Sequence, residues 1–134
     1  MQTIKFSASA KGRYFCFEAL SSFDRKPIAA VAEMDVLDAG NKPISHQNWT
    51  IAYVSSEELM NENGRAENAI DGQTFNYWNS AYSSQQVDYP HYLVIDLGKD
   101  EAVTGFRYVP RTGNNSAGRI KDYQIFIGND IIKK

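Results

Sequence analysis

Short apolar runs separated by turn residues constrain the fold of this chain more than any other feature of its sequence. Runs rich in Val, Ile, Phe and Tyr recur between clusters of Gly, Asn, Asp and Ser, and few segments keep the i, i+3, i+4, i+7 apolar spacing of a helix. Seven runs predict strands, over residues 3–8, 13–20, 30–37, 49–55, 91–98, 102–110 and 122–128. Strands at this spacing predict an all-β fold, an antiparallel β-sandwich of two packed sheets.

Alternation within these runs indicates which faces are buried. Phe15, Phe17 and Ala19 share one face of the run 13–20, and the same alternation recurs in the run 122–128. A half-buried strand requires this pattern, because successive side chains point to opposite faces of a sheet. We therefore assign both faces to the hydrophobic core.

Size and charge limit the classes of function. A chain of 134 residues suits one domain with one core. Its 14 Lys and Arg against 16 Asp and Glu give a net charge of -2, and no basic stripe appears, so nucleic acid is not an expected partner. No stretch reaches the roughly 18 to 20 apolar residues that span a bilayer, so we expect neither membrane insertion nor an export signal in this chain. The single cysteine, Cys16, excludes an internal disulfide and is expected to be a buried thiol.

Four motifs together point to a family. They are A-x-N-A-x-D-G at 66–72, W-N-S at 78–80, P-H-Y-x-x-x-D-L-G at 90–98 and Y-x-P-R at 108–111. In combination they resemble a discoidin domain, the coagulation factor type C fold, in the form found as family 32 carbohydrate-binding modules of bacterial glycoside hydrolases. The resemblance implies a discoidin-like jelly roll similar to galactose-binding domains.

The order of the segments departs from that family. The segment that resembles the family's last strands, 12–37, comes first here. A circularly permuted domain would explain this order, and so would a cut across two tandem modules in which residues 1–37 of one copy complete another. We take permutation as the working hypothesis, with one domain over 1–134 that comprises the family's C-terminal strands (1–37), a connector (38–44) and the family's N-terminal portion (45–134). A monomer is then expected rather than a strand-exchanged dimer.

The resemblance also implies a structural calcium ion. From the residues alone, Asp71 reads as a turn aspartate and Glu33 as a solvated carboxylate on the outer face of a strand. The family, however, holds calcium between this turn and a carboxylate of its last strand. At the matching positions Asp71 and Glu33 would supply carboxylate oxygens, Ala69 and Gln73 backbone carbonyls, and Asn76, which stands where the family usually has a threonine, an amide oxygen.

A glycan site follows from the same resemblance. The family binds sugars with an arginine, an asparagine and an aromatic ring that stacks on the apolar face of the sugar. The matching candidates are Arg111, Asn114, Asn115, Asn79, Phe23 and Tyr82. Asn79 replaces the histidine of many galactose-binding members, so a terminal sugar of the galactose, GalNAc or GlcNAc type is expected with its identity open. The alternatives without a sugar are that Arg111 is a loop-anchoring or solvated arginine and that Phe23 is an isolated exposed aromatic residue.

The expected function is that of a non-catalytic module which targets an attached glycoside hydrolase, such as a chitobiase, sialidase or fucosidase, to its glycan. We expect no enzyme, because His46 and His91 form no triad or zinc spacing and the carboxylates are scattered. The alternative is a discoidin module for protein or lipid surfaces, which requires apolar loop tips; the polar runs RTGNNSAG and YSSQQVD argue against it. The parent protein would be secreted, periplasmic or at the cell surface.

Overall fold

The computed structural model describes residues 2–83, 87–111 and 118–130. Its elements in chain order are β1 (Gln2–Ala19), β2 (Ala30–Val31), β3 (Glu33–Leu37), a first 3-10 helix (His46–Asn48), β4 (Thr50–Val54), a second 3-10 helix (Ala66–Ile70), β5 (Trp78–Asn79), β6 (His91–Val109) and β7 (Tyr123–Gly128). The predicted all-β fold is confirmed. No helix in the described part of the chain is long and apolar enough to cross a membrane.

The larger sheet is antiparallel and is built around β6. Its strand order is β3-β6-β1-β7, and β4 also pairs with β6. The strands β4 and β3 occupy successive parts of one edge of β6, since Thr50 pairs with Asp96 and Glu33 with Val109. The smaller sheet consists of β2 and β5. The segments 91–98 and 102–110, predicted as two strands, form one strand that continues through Gly98.

A single main core is lined by both sheets. Phe15 and Phe17 are buried there with Trp78 and Phe106, which confirms the predicted inward face of β1. The alternate residues of β7 pack partly buried against the same core. Cys16 is buried on the opposite face of β1 in a smaller apolar cluster, so the predicted buried thiol is confirmed.

The loops that matter for function lie at one end of the sandwich. Glu33, at the start of β3, pairs with Val109, at the end of β6. Ala30 of β2 pairs with Asn79 of β5, and its backbone N–H donates to the Gly118 carbonyl at 3.0 Å. We call this region the loop end; its described loops are 20–29, 58–64, 71–77, 110–111 and 118–122.

Candidate functional site

Glu33 lies in a buried position, and not in the solvated one that strand alternation predicts. It is 6% exposed. Its Oε2 accepts a hydrogen bond from the Gly72 backbone N–H at 3.1 Å and lies 3.4 Å from His46 Nδ1. Among the described residues its buried Oε1 has no hydrogen-bond partner. Burial raises the pKa of Glu33 to about 7, and His46 offsets only part of this effect. A cation or donor at Oε1 would therefore stabilise the site.

The loop after the second 3-10 helix gathers the other predicted calcium ligands. Asp71 Oδ1 accepts from the Gln73 backbone N–H at 2.9 Å, and Asp71 Oδ2 accepts from the Asn76 side-chain amide at 3.0 Å. Ala69 is buried within the helix two residues earlier. The backbone hydrogen bond from Gly72 to Glu33 places Asp71 beside β3, and Asn76 is bonded to Asp71.

His46 connects this loop to β3 and was missed in the sequence. Its Nε2 lies 2.7 Å from Asp35 Oδ1, its Nδ1 lies 3.1 Å from the Ile70 carbonyl, and its ring stacks on Trp49. Both ring nitrogens face oxygen acceptors, which favours the doubly protonated imidazolium. Burial opposes this charge and is the largest single effect, yet the hydrogen bonds to Asp35 and Ile70 and the charges of Asp35 and Glu33 together raise the pKa of His46. Among the described residues, Glu33, Asp35 and His46 form a cluster whose ligand atoms lie within 4.8 Å of one another.

Arg111 follows β6 and is largely buried, with 7% of its surface exposed. Its Nη2 lies 3.3 Å from Glu62 Oε1, and its Cζ lies 4.0 Å from the centroid of the Tyr77 ring. Glu62 Oε2 in turn accepts a short hydrogen bond from the Tyr82 hydroxyl. Glu62 therefore joins the two predicted residues Arg111 and Tyr82. Neither Glu62 nor Tyr77 belongs to a sequence motif, so no pattern predicts their place in the site.

Glu58 anchors the two loops beside this ion pair. It is 1% exposed, and its carboxylate accepts from the backbone N–H groups of Met60, Asn61, Tyr82 and Ser83 and from the Ser83 hydroxyl. Burial opposes the charge, but these hydrogen bonds lower the pKa of Glu58 to about 2. The same loop pairs Glu58 with Gly64 in a β-bridge.

Phe23 meets the segment that carries Arg111. Its ring is 64% exposed, and it lines a cavity of about 290 Å³ with Pro110 and Arg119. We call this the Phe23 cavity. The Phe23 ring lies at the edge of a small cavity that Arg119 also lines. Such a ring can stack on the apolar face of a sugar while the sugar hydroxyls face polar groups.

The predicted asparagines are placed differently. Asn79 in β5 has no exposed surface, and within the described residues neither polar atom of its side chain has a hydrogen-bond partner. It lies beneath the surface of the loop end, so direct contact with a sugar would require a rearrangement. Asn114 and Asn115 fall outside the described residues.

Large exposed hydrophobic side chains also lie at the loop end. In the described part of the chain these are Phe23, Leu59, Met60 and Phe75, each between 59% and 75% exposed. Isolated exposed apolar side chains are ordinary, but these four lie on three loops, 20–29, 58–64 and 71–77. The loop tips therefore carry apolar residues, contrary to the expectation from the polar runs.

Comparison with known proteins agrees with the motifs. The family model of the F5/8 type C domain matches residues 51–133, so the match begins within β4 and leaves β1 to β3 outside it. A sialidase of Micromonospora viridifaciens is 37% identical over 84 residues, which make up 62% of this chain and 13% of that enzyme. The chain therefore corresponds to a small part of the length of this relative.

Proposed function

Because the chain belongs to the F5/8 type C domain family, we propose that it is a non-catalytic carbohydrate-binding module which targets an attached glycoside hydrolase to its glycan. The observation that carries the proposal is the Arg111 guanidinium, which Glu62 and Tyr77 hold one residue after Pro110, a residue that lines the Phe23 cavity. The similarity to part of a sialidase supports an accessory role in a larger enzyme. Such a parent protein would act outside the cytoplasm, as a secreted, periplasmic or cell-surface enzyme.

The fixed arginine explains how a small site would bind a sugar. A guanidinium presents several N–H donors in one plane, a geometry that matches two neighbouring hydroxyl oxygens. Since Glu62 and Tyr77 already restrict Arg111, little side-chain freedom remains to be lost on binding. Phe23 would stack on the apolar face of the ring, and a terminal galactose, GalNAc or GlcNAc offers both features. Binding raises the local concentration of the attached enzyme on its substrate.

A glycan array with wild-type protein and Arg111→Ala tests this proposal. We expect wild-type binding to be lost or weakened at least tenfold in the variant, about 1.4 kcal/mol. Arg13→Ala is the matched control, because Arg13 pairs with Asp96 away from the loop end. Equal binding by wild type and a folded Arg111→Ala variant would refute the assigned site.

Recognition of a lipid or protein surface is the second candidate function. It is favoured by the apolar loop tips, of which Leu59 and Met60 are adjacent. A Leu59→Ser, Met60→Ser double variant leaves Arg111 in place. If liposomes bind the wild type but not this variant, and no glycan binds either, surface recognition replaces sugar binding.

We also propose that calcium binds between β3 and the Asp71 loop. The donor set suits this ion, because Glu33 and Asp71 offer carboxylates and Glu33 Oε1 is buried without a hydrogen-bond partner among the described residues. Asn76 would add an amide oxygen, and Ala69 and Gln73 their backbone carbonyls. The ion would supply positive charge that offsets the two carboxylates and joins strand to loop.

Chelation tests the calcium site. Calcium at 100 times its dissociation constant should add about 2.7 kcal/mol to the free energy of unfolding. EDTA should therefore lower the melting temperature of the wild type and leave that of Asp71→Asn unchanged. A wild-type melting temperature that is the same in calcium and in EDTA would exclude the site.

We further propose that one chain completes the sandwich in circularly permuted order. Support comes from the connector, which is an ordered turn: Asp38 Oδ1 accepts from the backbone N–H groups of Gly40 and Lys42, and the Ile44 N–H donates to the Val36 carbonyl at 2.8 Å. A short hydrogen-bonded turn favours pairing within the chain over exchange between chains. The domain should sediment as a monomer, and an obligate dimer would contradict permutation.

A further inference from the structure

A second, larger cavity opens at the loop end next to the Phe23 cavity. Its volume is about 720 Å³, within the range of small-ligand sites. Ser22 lines this cavity and forms a β-bridge with Ile120, which lines the Phe23 cavity. The two cavities are therefore neighbours. We call the larger one the basic cleft, and the residues that define it are Ser21, Arg25, Lys26, Asp88, Lys121 and Asp122.

The carboxylates and the cations of the basic cleft differ in the contacts that they make with the rest of the protein. Its carboxylates accept hydrogen bonds from the protein: Asp122 from the Ser21 hydroxyl at 2.8 Å, and Asp88 from the backbone N–H that follows it, also at 2.8 Å. Its three cations are Arg25, Lys26 and Lys121, and all are exposed. In the described part of the chain none of the three forms an ion pair. Hydrogen bonds from neutral donors leave the carboxylate charges in place, so three cations against two carboxylates give the cleft an excess of one positive charge.

Hydrogen bonds fix the loop that carries two of these cations. Asp24 Oδ1 accepts from the Ser22 hydroxyl at 2.6 Å and from the Lys26 backbone N–H at 3.1 Å, while Asp24 Oδ2 accepts from the Gly118 N–H at 3.2 Å. Arg25 has a φ of 63°, an uncommon backbone conformation for a residue other than glycine. The loop thus holds two consecutive basic residues at the cleft in one defined turn.

We propose that the basic cleft binds the anionic group of a glycan, a carboxylate or a sulfate ester, on the sugar unit next to the one at the Phe23 cavity. This inference rests on the proposed sugar binding and narrows its ligand to acidic glycans. Arg25, Lys26 and Lys121 would donate charge-assisted hydrogen bonds to the anion. Because all three are exposed, each contact is partly screened by water and salt. The neutral sugar unit at the Phe23 cavity would supply most of the binding affinity, and the anionic group at the basic cleft would add selectivity for acidic glycans.

Matched pairs of oligosaccharides test the inference. Each pair consists of a neutral glycan and the same glycan with one added carboxylate or one added sulfate, titrated by calorimetry. At low salt the acidic member should bind about 1.4- to fivefold tighter for each cation engaged, the range of an exposed ion pair. In about 1 M NaCl, where the screening length is about 3 Å, this preference should disappear. The variant Arg25→Gln, Lys26→Gln, Lys121→Gln should lose the preference and keep its affinity for the neutral glycan.

The control variant Lys5→Gln, Lys11→Gln, Lys42→Gln removes the same charge at exposed positions away from the loop end, and it should keep the preference. A preference for the carboxylated or for the sulfated member identifies the source of the anion. If the wild type binds neutral and acidic members equally, or the cleft variant keeps the preference, the inference fails while sugar binding stands. If the folded wild type binds no glycan at all, both proposals fail.

Discussion

Replacing Glu58 by glutamine perturbs the loops beside Arg111 without changing the size of the side chain. Glu58 Oε1 accepts from the backbone N–H groups of Tyr82 and Ser83, and Oε2 accepts from those of Met60 and Asn61 and from the Ser83 hydroxyl. In glutamine one of these oxygens becomes a donor, so two or three buried donors lose their acceptor. At about 1 to 3 kcal/mol for each unsatisfied buried group, the free energy of unfolding should fall by at least about 2 kcal/mol.

Urea unfolding at neutral pH measures this loss. The matched control is Glu67→Gln, because Glu67 is exposed and makes only a long contact to Arg65 at 3.9 Å; its effect should stay within about 0.5 kcal/mol. Unfolding in acid gives a second readout. The pKa of Glu58 is about 2 in the folded protein against an ordinary value of 4.5, so its contribution is present above pH 4.5 and is lost as the pH falls toward 2. Glu58→Gln should lack this part of the pH dependence.

The same variant should also bind glycan more weakly, because its loops carry Glu62 and Tyr82, which hold the arginine site. Unchanged stability in Glu58→Gln would refute the carboxylate network. Lower stability with unchanged glycan affinity would show that the network does not position Arg111.

Two further predictions concern the ion pair and the main sheet. In a double-mutant cycle on glycan affinity, Glu62→Gln and Arg111→Ala should couple by about 0.5 to 3 kcal/mol, because the two side chains act as one unit; additive effects would contradict this. Gly105→Ala should destabilise the fold by at least about 2 kcal/mol, because an added Cβ would lie 2.3 Å from the Ile4 carbonyl oxygen. Gly40→Ala is its control, since the nearest atom there is 3.4 Å away, and equal melting temperatures for the two variants would refute the steric argument.

Strand periodicity predicts much of this fold, because burial on one face of a sheet imposes a period of two on the sequence. It correctly assigns Phe15 and Phe17 to the core. It fails at boundaries: a continuous β6 depends on Gly98, whose φ of 89° lets the backbone turn where turn residues would otherwise mark an end. The run 30–37 was predicted as one strand, but it forms β2 and β3, which are interrupted at Ala32. An alanine is no turn residue, so the sequence does not indicate this interruption.

The site was less accessible to sequence reasoning, because its residues come from loops that are distant in the chain. Alternation places Glu33 in solvent; the loop that contains Gly72 folds over it and buries it. His46 lies in the 3-10 helix that follows the connector, and Glu62 belongs to no motif, so their contacts to Asp35 and Arg111 arise only from the fold. The resemblance to a family supplied the positions of Asp71 and Arg111, which composition and spacing alone could not.

A nuclear magnetic resonance titration with a glycan selected from the array tests the central proposal most directly. Backbone amide shifts would locate the ligand on the folded domain without a mutation. Sugar binding at the loop end predicts perturbations at Phe23, Tyr77, Arg111 and Arg119, and none in the turn from Asp38 to Lys42 at the opposite end. Saturable perturbations that map to that opposite end, with the four loop-end residues unaffected, would contradict it.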